Sequence, residues 1–206
     1  MRDVQIIRRA AMFPQLTQLR ALGQHWIAKV EAGQYRYARY YDDLWPLNIS
    51  GVEGIELPYE LMQVVIRHMG RAIDFSTPLV LCTTRYPYLG QWHQDAPPYE
   101  DDTICLLCVD GLDELEYMNY PDHPGRYDIA NLRPGDLCLL PAAARHRGRC
   151  STHRITWHVR VGPQGRTMPA SPPSVLPLMT VRRFIRRTVG TACYYLYGDS
   201  TPWRKS

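Results

Sequence analysis

The sequence contains no apolar run that approaches the ~20 residues a membrane-spanning helix requires. Its first residues, Met1-Arg2-Asp3 onward, also lack the apolar core of a secretory signal peptide. No internal sequence repeat is visible. We therefore expect a globular, cytoplasmic protein.

The body of the chain has no excess of positive charge, although the whole chain carries a net charge of +4. Residues 171–206 hold six of the 24 Lys and Arg residues but only one of the 20 Asp and Glu residues. The surplus thus belongs to the tail, and nucleic acid is not an expected partner of the body. With 206 residues, 45% of them hydrophobic and 21% charged, the composition predicts one ordinary hydrophobic core.

The six cysteines do not form a pattern of disulfide or metal-binding pairs, because most of them lie inside apolar runs. Cys105 and Cys108 form a C-x-x-C, but they belong to the continuous apolar run Thr103 to Val109, which predicts a buried strand. The odd spacing directs the two side chains to opposite faces of that strand. Reduced, buried thiols are expected.

Apolar residues at helical spacing predict a helix over 15–32, ending at Gly33, and a second over Tyr59 to Met69, between Pro58 and Gly70. From Pro78 onward, short β-branched and apolar runs alternate with turn residues, and no helical pattern separates them. The predicted strands are Leu79 to Tyr86, Thr103 to Val109, Glu114 to Met118, Asp136 to Leu140, and Arg154 to Val161. We expect a mostly β protein, an antiparallel jelly roll with flanking helices.

The predicted domain covers residues 1–162, with a helical buttress over about 1–75 and a β core over about 78–162. Residues 163–206 comprise a proline-rich connector and a predicted amphipathic helix. One face of that helix carries Arg182, Arg183, Arg186 and Arg187. The helix either packs on the barrel with its arginines in solvent or docks to an anionic partner.

The segment Trp92-His93-Gln94-Asp95 contains a His-x-Asp pair whose two side chains leave an extended backbone on the same face. An imidazole and a carboxylate aimed at one point suit Fe(II), and a second histidine would complete a facial triad. Downstream, the Pro134-Gly135 turn feeds an apolar strand expected to carry His146 at its far end. His158 is the alternative third ligand.

Arg154 and Thr156 share one face of the last predicted strand. An arginine buried in a barrel needs an anion, and a carboxylate is its natural bidentate partner, to which a neighbouring hydroxyl adds one more donor. Arg160 lies on the same face and is the alternative anion clamp.

In their order along the chain, these motifs resemble the Fe(II)/2-oxoglutarate-dependent oxygenases, particularly the prolyl-4-hydroxylase-like branch. The resemblance covers residues 78–162, and its elements are Arg85-Tyr86, His93-x-Asp95, Glu114-Leu115-Glu116-Tyr117, Arg133-Pro134-Gly135-Asp136, His146 and Arg154-x-Thr156. It implies a double-stranded β-helix core of the jelly-roll, cupin-like type.

The resemblance implies that His93, Asp95 and His146 bind catalytic iron, and that Arg154 grips the distal carboxylate of 2-oxoglutarate with help from Thr156. It further implies that Tyr86 hydrogen-bonds this co-substrate, and that O2 is consumed with ascorbate as a reductant. The implied reaction hydroxylates a C–H bond of an amino-acid-like or secondary metabolite and yields succinate and CO2. Because the third residue of the motif is Asp95 and not Gly or Ala, the resemblance does not imply halogenation.

Candidate substrate contacts are Tyr37 and Arg39, within the tyrosine-rich segment Tyr35 to Tyr41, and also Tyr117 and His158. The tyrosine-rich segment is either a substrate-binding rim or an edge strand packed on the barrel. Tyr117 opens an insertion expected to overhang the site, while Asp101 and Asp102 are expected to be solvated. Two alternatives remain open: the same chemistry on a protein side chain or nucleobase, and a non-catalytic module that binds a metal or an anion.

Overall fold

The computed structural model describes residues 3–32, 34, 38–40, 47–49, 58–76, 79–83, 88–90, 92–95, 101–118, 126–150 and 153–168. These residues form two helices, α1 (Phe13–Glu31) and α2 (Tyr59–Met69). They also form twelve strands: β1 (Gln5–Ile7), β2 (Ala38–Tyr40), β3 (Leu47–Ile49), β4 (Ile73–Phe75), β5 (Leu79–Thr83), β6 (Tyr88–Leu89), β7 (Thr103–Gly111), β8 (Asp113–Tyr117), β9 (Asp128–Leu132), β10 (Leu137–Pro141), β11 (His146–Cys150) and β12 (Arg154–Pro163). Neither described helix is long and apolar enough to cross a lipid bilayer.

The strands form two antiparallel sheets. The larger sheet has the order β1-β10-β7-β12-β5-β3-β2, with β4 pairing beside β5 along β12, and the smaller has the order β6-β11-β8-β9. Strands adjacent in sequence, such as β7 and β8 or β10 and β11, lie in different sheets. This alternation confirms the predicted jelly-roll architecture, in which two sheets enclose one interior.

Two apolar layers result from the alternation of side chains along the larger sheet. Cys105 and Leu107 of β7 belong to a cluster shared with the helices, whereas Leu106 and Cys108 belong to the cluster shared with the smaller sheet. The prediction of buried thiols on opposite faces is thus confirmed. Cys138 of β10 is likewise buried and free.

Helix α2 has the bounds that its sequence predicts. Leu61, Val65 and Met69 follow one another at intervals of four residues and are the buried residues of this helix. Gly70 ends the helix in the left-handed conformation, with φ of 63°, and its amide donates to the carbonyl of Ile66.

Helix α1 begins two residues before its predicted start and packs on the outer face of the larger sheet. At Gly23 the approach to β12 is close, because a β-carbon there would lie 3.1 Å from Cγ2 of Ile155. Because Gly23 has no side chain, α1 packs closely against β12, the strand that carries Arg154.

The structure corrects several predicted strand bounds. His146 does not end the preceding strand: β10 ends at Pro141, a turn follows, and His146 opens β11 in the other sheet. Strand β8 begins at Asp113, one residue before the predicted start. Sequence patterns also missed β9 and the short strands β1, β3, β4 and β6, since runs of two to five residues carry little periodicity.

Candidate metal site

Three side chains meet at one end of the jelly-roll interior. The ligand-type atoms of His93, Asp95 and His146 all lie within 4.8 Å of one another. Nε2 of His93 is 3.8 Å from Oδ1 of Asp95, and Nε2 of His146 is 3.5 Å from Oδ2 of the same carboxylate. Two imidazoles and one carboxylate so arranged can hold a single divalent ion and leave further coordination positions open.

The backbone fixes this arrangement by pairing the segment 92–95 with the start of β11. His93 and His146 exchange two main-chain hydrogen bonds of 2.9 Å, and the amide of Asp95 donates to the carbonyl of Ala142 at 3.0 Å. The side chain of Gln94, on the opposite side, donates to the carbonyl of Ala143. The alternation predicted for the His-x-Asp motif thus holds, and the second histidine is delivered by β11.

The tautomer of His146 is set by its neighbour in the turn. Nδ1 lies 2.9 Å from the carbonyl oxygen of Ala144, so it carries the proton and leaves Nε2, 3.5 Å from Oδ2 of Asp95, unprotonated. Burial lowers the pKa of His146, and the proximity of His93 lowers it further. The imidazole is therefore neutral at physiological pH, the form in which it binds a metal.

One side of the cluster is open to solvent. The side chains of His93 and Asp95 are 52% and 39% exposed, whereas that of His146 is only 7% exposed. The cluster therefore sits at the rim of the interior. A molecule can reach an ion held there from solution.

The deeper part of the interior holds an ion pair between Arg154 and Asp113. Nη1 of Arg154 donates to Oδ1 of Asp113, and the hydroxyl of Thr156 donates to Oδ2 of the same carboxylate at 2.8 Å. All three side chains are buried. Arg154 and Thr156 thus hold a carboxylate between them, one oxygen each, and this carboxylate belongs to the chain itself.

Glycines at two positions allow this ion pair to form. The guanidinium of Arg154 lies over Gly148 of β11, where a β-carbon would be 3.0 Å from Nη2 and 3.4 Å from Nη1. Gly111, with φ of 74°, forms the corner between β7 and β8 that brings Asp113 inward, and a β-carbon there would collide with the carbonyl of His153.

Polar side chains of β12 connect the deep ion pair to the metal end. Ile155, Trp157 and Val159 belong to the apolar layer on the helix side, so Arg154, Thr156, His158 and Arg160 point toward the smaller sheet. Burial lowers the pKa of His158 to about 3, and the positive charge of Arg154 adds to this effect. Within the described part of the chain, the buried Nε2 of this neutral imidazole has no hydrogen-bond partner.

Tyr117 stands beside His146 on the inner face of the smaller sheet, since the two residues are paired in the register of β8 and β11. It is 9% exposed and packs in the interior cluster. Tyr117, a predicted substrate contact, thus lines the jelly-roll interior next to His146.

Arg160, the alternative anion clamp, has other partners at the metal end. Its Nε donates to Oδ2 of Asp102 at 2.8 Å, and its Nη2 donates to the main-chain carbonyl of Asp95 at 2.5 Å. Asp102 is fully buried and also accepts from Arg166 at 2.8 Å, so the expectation that it is solvated is wrong. The two arginines compensate the charge of this buried carboxylate.

The structure thus gathers His93, Asp95 and His146, and places Arg154, Thr156, His158 and Tyr117 on the walls of the same interior. Tyr37, Tyr86, the side chain of Arg39 and the tail helix from Arg182 to Arg187 lie outside the described residues. Strand β2, at the edge of the larger sheet, matches the edge-strand interpretation of the tyrosine-rich segment. His153, which precedes Arg154 in the sequence, is exposed and pairs with Asp110 at 3.0 Å.

Sequence reasoning missed Asp113. A signal was present, because Asp113, Leu115 and Tyr117 alternate, and the latter two are apolar or aromatic residues of a buried strand. Because the predicted strand begins at Glu114, Asp113 lies outside it and is not among the predicted site residues.

Comparison with protein-family models and with curated proteins gives no match. Solved structures, by contrast, share the fold. The chain is similar to the non-heme alpha ketoglutarate dependent epimerase SnoN from nogalamycin biosynthesis, with a TM-score of 0.59, 10% identity, and coverage of 87% of this chain and 91% of that one.

Two further structures are similar. For the non-heme alpha ketoglutarate dependent carbocyclase SnoK, also from nogalamycin biosynthesis, the TM-score is 0.60 at 13% identity, covering 85% of this chain and 89% of that one. For HygX from Streptomyces hygroscopicus with nickel and 2-oxoglutarate bound, the TM-score is 0.53 at 13% identity, covering 80% and 84%. At such identities the likeness establishes the fold.

Proposed function

We propose that this protein is an Fe(II)/2-oxoglutarate-dependent oxygenase that acts on a C–H bond of a small molecule. The observation that carries the proposal is the cluster of His93, Asp95 and His146 at the rim of a jelly-roll interior whose deeper wall presents Arg154 and Thr156. A facial set of metal ligands and an anion clamp in one interior are what this chemistry requires.

The donor set fits the metal. Two imidazoles and one carboxylate are suited to Fe(II), and the hydrogen bond from Nδ1 of His146 to the carbonyl of Ala144 presents Nε2 for coordination. When bound, Fe(II) would supply the chemistry of C–H oxidation, with O2 as the oxidant and 2-oxoglutarate as the co-substrate that is consumed to succinate and CO2. The protein binds the metal and the co-substrate, orients the target and excludes water.

Arg154 and Thr156 are the proposed grip for the distal carboxylate of 2-oxoglutarate. In the structure these two side chains already hold a carboxylate, that of Asp113, with a guanidinium on one oxygen and a hydroxyl on the other. Arg160 bonds Asp102 and the backbone of Asp95 at the end of the interior that holds the histidines, whereas Arg154 lies on the deeper wall beside Thr156, which is the position proposed for the grip. Tyr86 is proposed as an additional contact to the co-substrate.

A small-molecule substrate is supported by the open side of the cluster and by the interior itself. The exposed edges of His93 and Asp95 give access, while Tyr117 lines the wall beside His146. SnoN and SnoK belong to nogalamycin biosynthesis, and HygX is also described with hygromycin B bound. We propose Tyr117, His158, Tyr37 and Arg39 as substrate contacts, and hydroxylation as the outcome.

The decisive measurement is anaerobic binding followed by turnover. We expect the purified chain to bind one Fe(II), to develop a metal-to-ligand absorbance band when 2-oxoglutarate is added, and to release succinate on exposure to O2 with ascorbate present. His93→Ala and His146→Ala remove ligands and should abolish both the band and succinate release. His153→Ala alters an exposed histidine that is paired with Asp110 and should leave both unchanged.

Mass analysis of products then separates the candidate reactions. A gain of one oxygen atom by a small molecule indicates hydroxylation, an unchanged mass indicates epimerisation, and a loss of two hydrogen atoms indicates ring closure. The same gain in mass on a protein or nucleic acid would show that the substrate is a macromolecule. A chain that binds neither Fe(II) nor 2-oxoglutarate contradicts the proposal and leaves a non-catalytic module.

A further inference from the structure

Asp113 occupies the groups that would bind the distal carboxylate of the co-substrate. One of its oxygens accepts from the guanidinium of Arg154, and the other accepts from the hydroxyl of Thr156 at 2.8 Å. A carboxylate arriving from solution would need these same two donors. The side chains of Arg154 and Asp113 are each 3% exposed, so the contact is made in the absence of bulk water.

Adding a second carboxylate to this ion pair is electrostatically unfavourable. The ion pair of Arg154 and Asp113 is neutral, and a second carboxylate beside it would place two negative charges on one guanidinium in a low-dielectric interior. An incoming carboxylate must therefore displace Asp113 from Arg154 and Thr156, or share them with it at an electrostatic penalty. A 2-oxo acid without a distal carboxylate meets no such competition.

The fold holds Asp113 in place. The corner at Gly111 and the pairing of Asp113 with Leu132 of β9 fix its backbone, while Leu115 and Tyr117 anchor the same face of β8 in the interior cluster. Gly148 leaves room for the guanidinium beside it. The contact is thus built from several elements of both sheets.

Building on the proposed function, we propose that Asp113 is an internal competitor for the clamp formed by Arg154 and Thr156 and determines co-substrate specificity. It suppresses the advantage that a dicarboxylic 2-oxo acid gains from its distal carboxylate. The protein consequently accepts monocarboxylic 2-oxo acids nearly as well as 2-oxoglutarate.

The test compares two ligands in matched variants. The full chain loaded with Fe(II) is titrated anaerobically with 2-oxoglutarate and with 2-oxobutyrate, and the dissociation constants are read from the absorbance band. Asp113→Asn removes the charge with little change of shape, and Asp113→Ala removes the side chain. The control is Glu116→Gln, which neutralises an equally buried carboxylate on the outer face of the same strand, paired with Arg147 at 2.5 Å.

We expect both Asp113 variants to bind 2-oxoglutarate at least about tenfold more tightly than the wild type, because the charged carboxylate of Asp113 no longer competes for Arg154 and Thr156. Binding of 2-oxobutyrate should stay within about threefold, and Glu116→Gln should resemble the wild type for both acids. Weaker or unchanged binding of 2-oxoglutarate in the Asp113 variants, or an equal gain for both acids, overturns the proposal.

The wild type supplies a test that does not depend on the folding of any variant. We expect its two dissociation constants to differ by less than about tenfold, and a larger preference for 2-oxoglutarate contradicts the inference. A wild-type chain that binds 2-oxoglutarate tightly and selectively overturns this inference but leaves the proposed function standing. Binding of neither acid overturns both.

Discussion

At the scale of single residues, the interior is organised by a few side chains whose burial is permitted by their partners. Arg154, Asp113 and Thr156 satisfy one another deep in the jelly roll, and His146 is held by the turn that precedes it. Each of these groups would be costly to bury alone. The arrangement also depends on Gly148, whose missing β-carbon provides the space for the guanidinium.

Replacing Gly148 tests that dependence. In Gly148→Ala the new β-carbon would lie 3.0 Å from Nη2 of Arg154, so the guanidinium or β11 must shift. Because clamps of this kind tolerate displacements of only about 0.5 Å, we expect binding of 2-oxoglutarate to weaken by up to about tenfold, the most that the clamp can contribute while Asp113 competes for it. Fe(II) stoichiometry, measured on the same samples, should remain at that of the wild type. An unaltered dissociation constant for 2-oxoglutarate would show that the position of Arg154 does not matter.

At the scale of elements, β12 connects the two proposed binding sites of the interior. Its inner face carries Arg154 and Thr156 at the deep end and Arg160 at the metal end, where Arg160 bonds the main chain of Asp95. The outer face of the same strand packs against the helices. Movement of β12 would therefore alter the proposed anion clamp and the support of the proposed metal ligand Asp95 together.

The link between β12 and the segment 92–95 can be broken without touching a ligand. In Arg160→Met the carbonyl of Asp95 loses its donor, and we expect the affinity for Fe(II) to fall about tenfold, as is common when a group that orients a ligand is removed. Arg166→Met is the matched control, because Arg166 pairs with the same buried Asp102. Metal titration followed by fluorescence or calorimetry compares the two variants. Equal losses in both would assign the effect to Asp102 and not to Asp95.

At the scale of the whole molecule, two apolar layers enclose the larger sheet, and three described cysteines are buried within them. Burial raises the pKa of the Cys105 thiol far above its ordinary value and that of Cys138 to about 12. These thiols are therefore protonated, inert members of the core.

This burial predicts how the native protein responds to alkylation. We expect iodoacetamide at pH 8 to leave Cys105, Cys108 and Cys138 unmodified in the folded chain and to label all three after denaturation, since reaction needs an exposed thiolate. Peptide mass spectrometry identifies the modified residues. Rapid labelling of Cys105 or Cys138 under native conditions would contradict the packing of β7 against β10.

Much of the fold could be predicted because it rests on periodicity. The helix over Tyr59 to Met69 and the strands from Thr103 and from Arg154 have strong patterns of apolar residues, and the structure confirms them. Short strands such as β4 and β6 could not be predicted, because their few residues form strands only through pairing with neighbours distant in sequence. His146 was expected at the right end of the interior but on the wrong strand, since a turn of four residues moves the chain to the other sheet.

The sequence by itself determined the residue types and the local geometry of the candidate site. The spacing of His93 and Asp95 sends both side chains to one face, and that of Arg154 and Thr156 does the same, because alternation is a property of extended backbone. The tertiary structure alone decided which groups meet. It brought His146 to the pair, assigned Arg160 to Asp102 and Asp95, and placed Asp113 on Arg154. The three arginine contacts join residues that are 41, 58 and 65 positions apart in the sequence, and sheet pairing and burial bring such residues together.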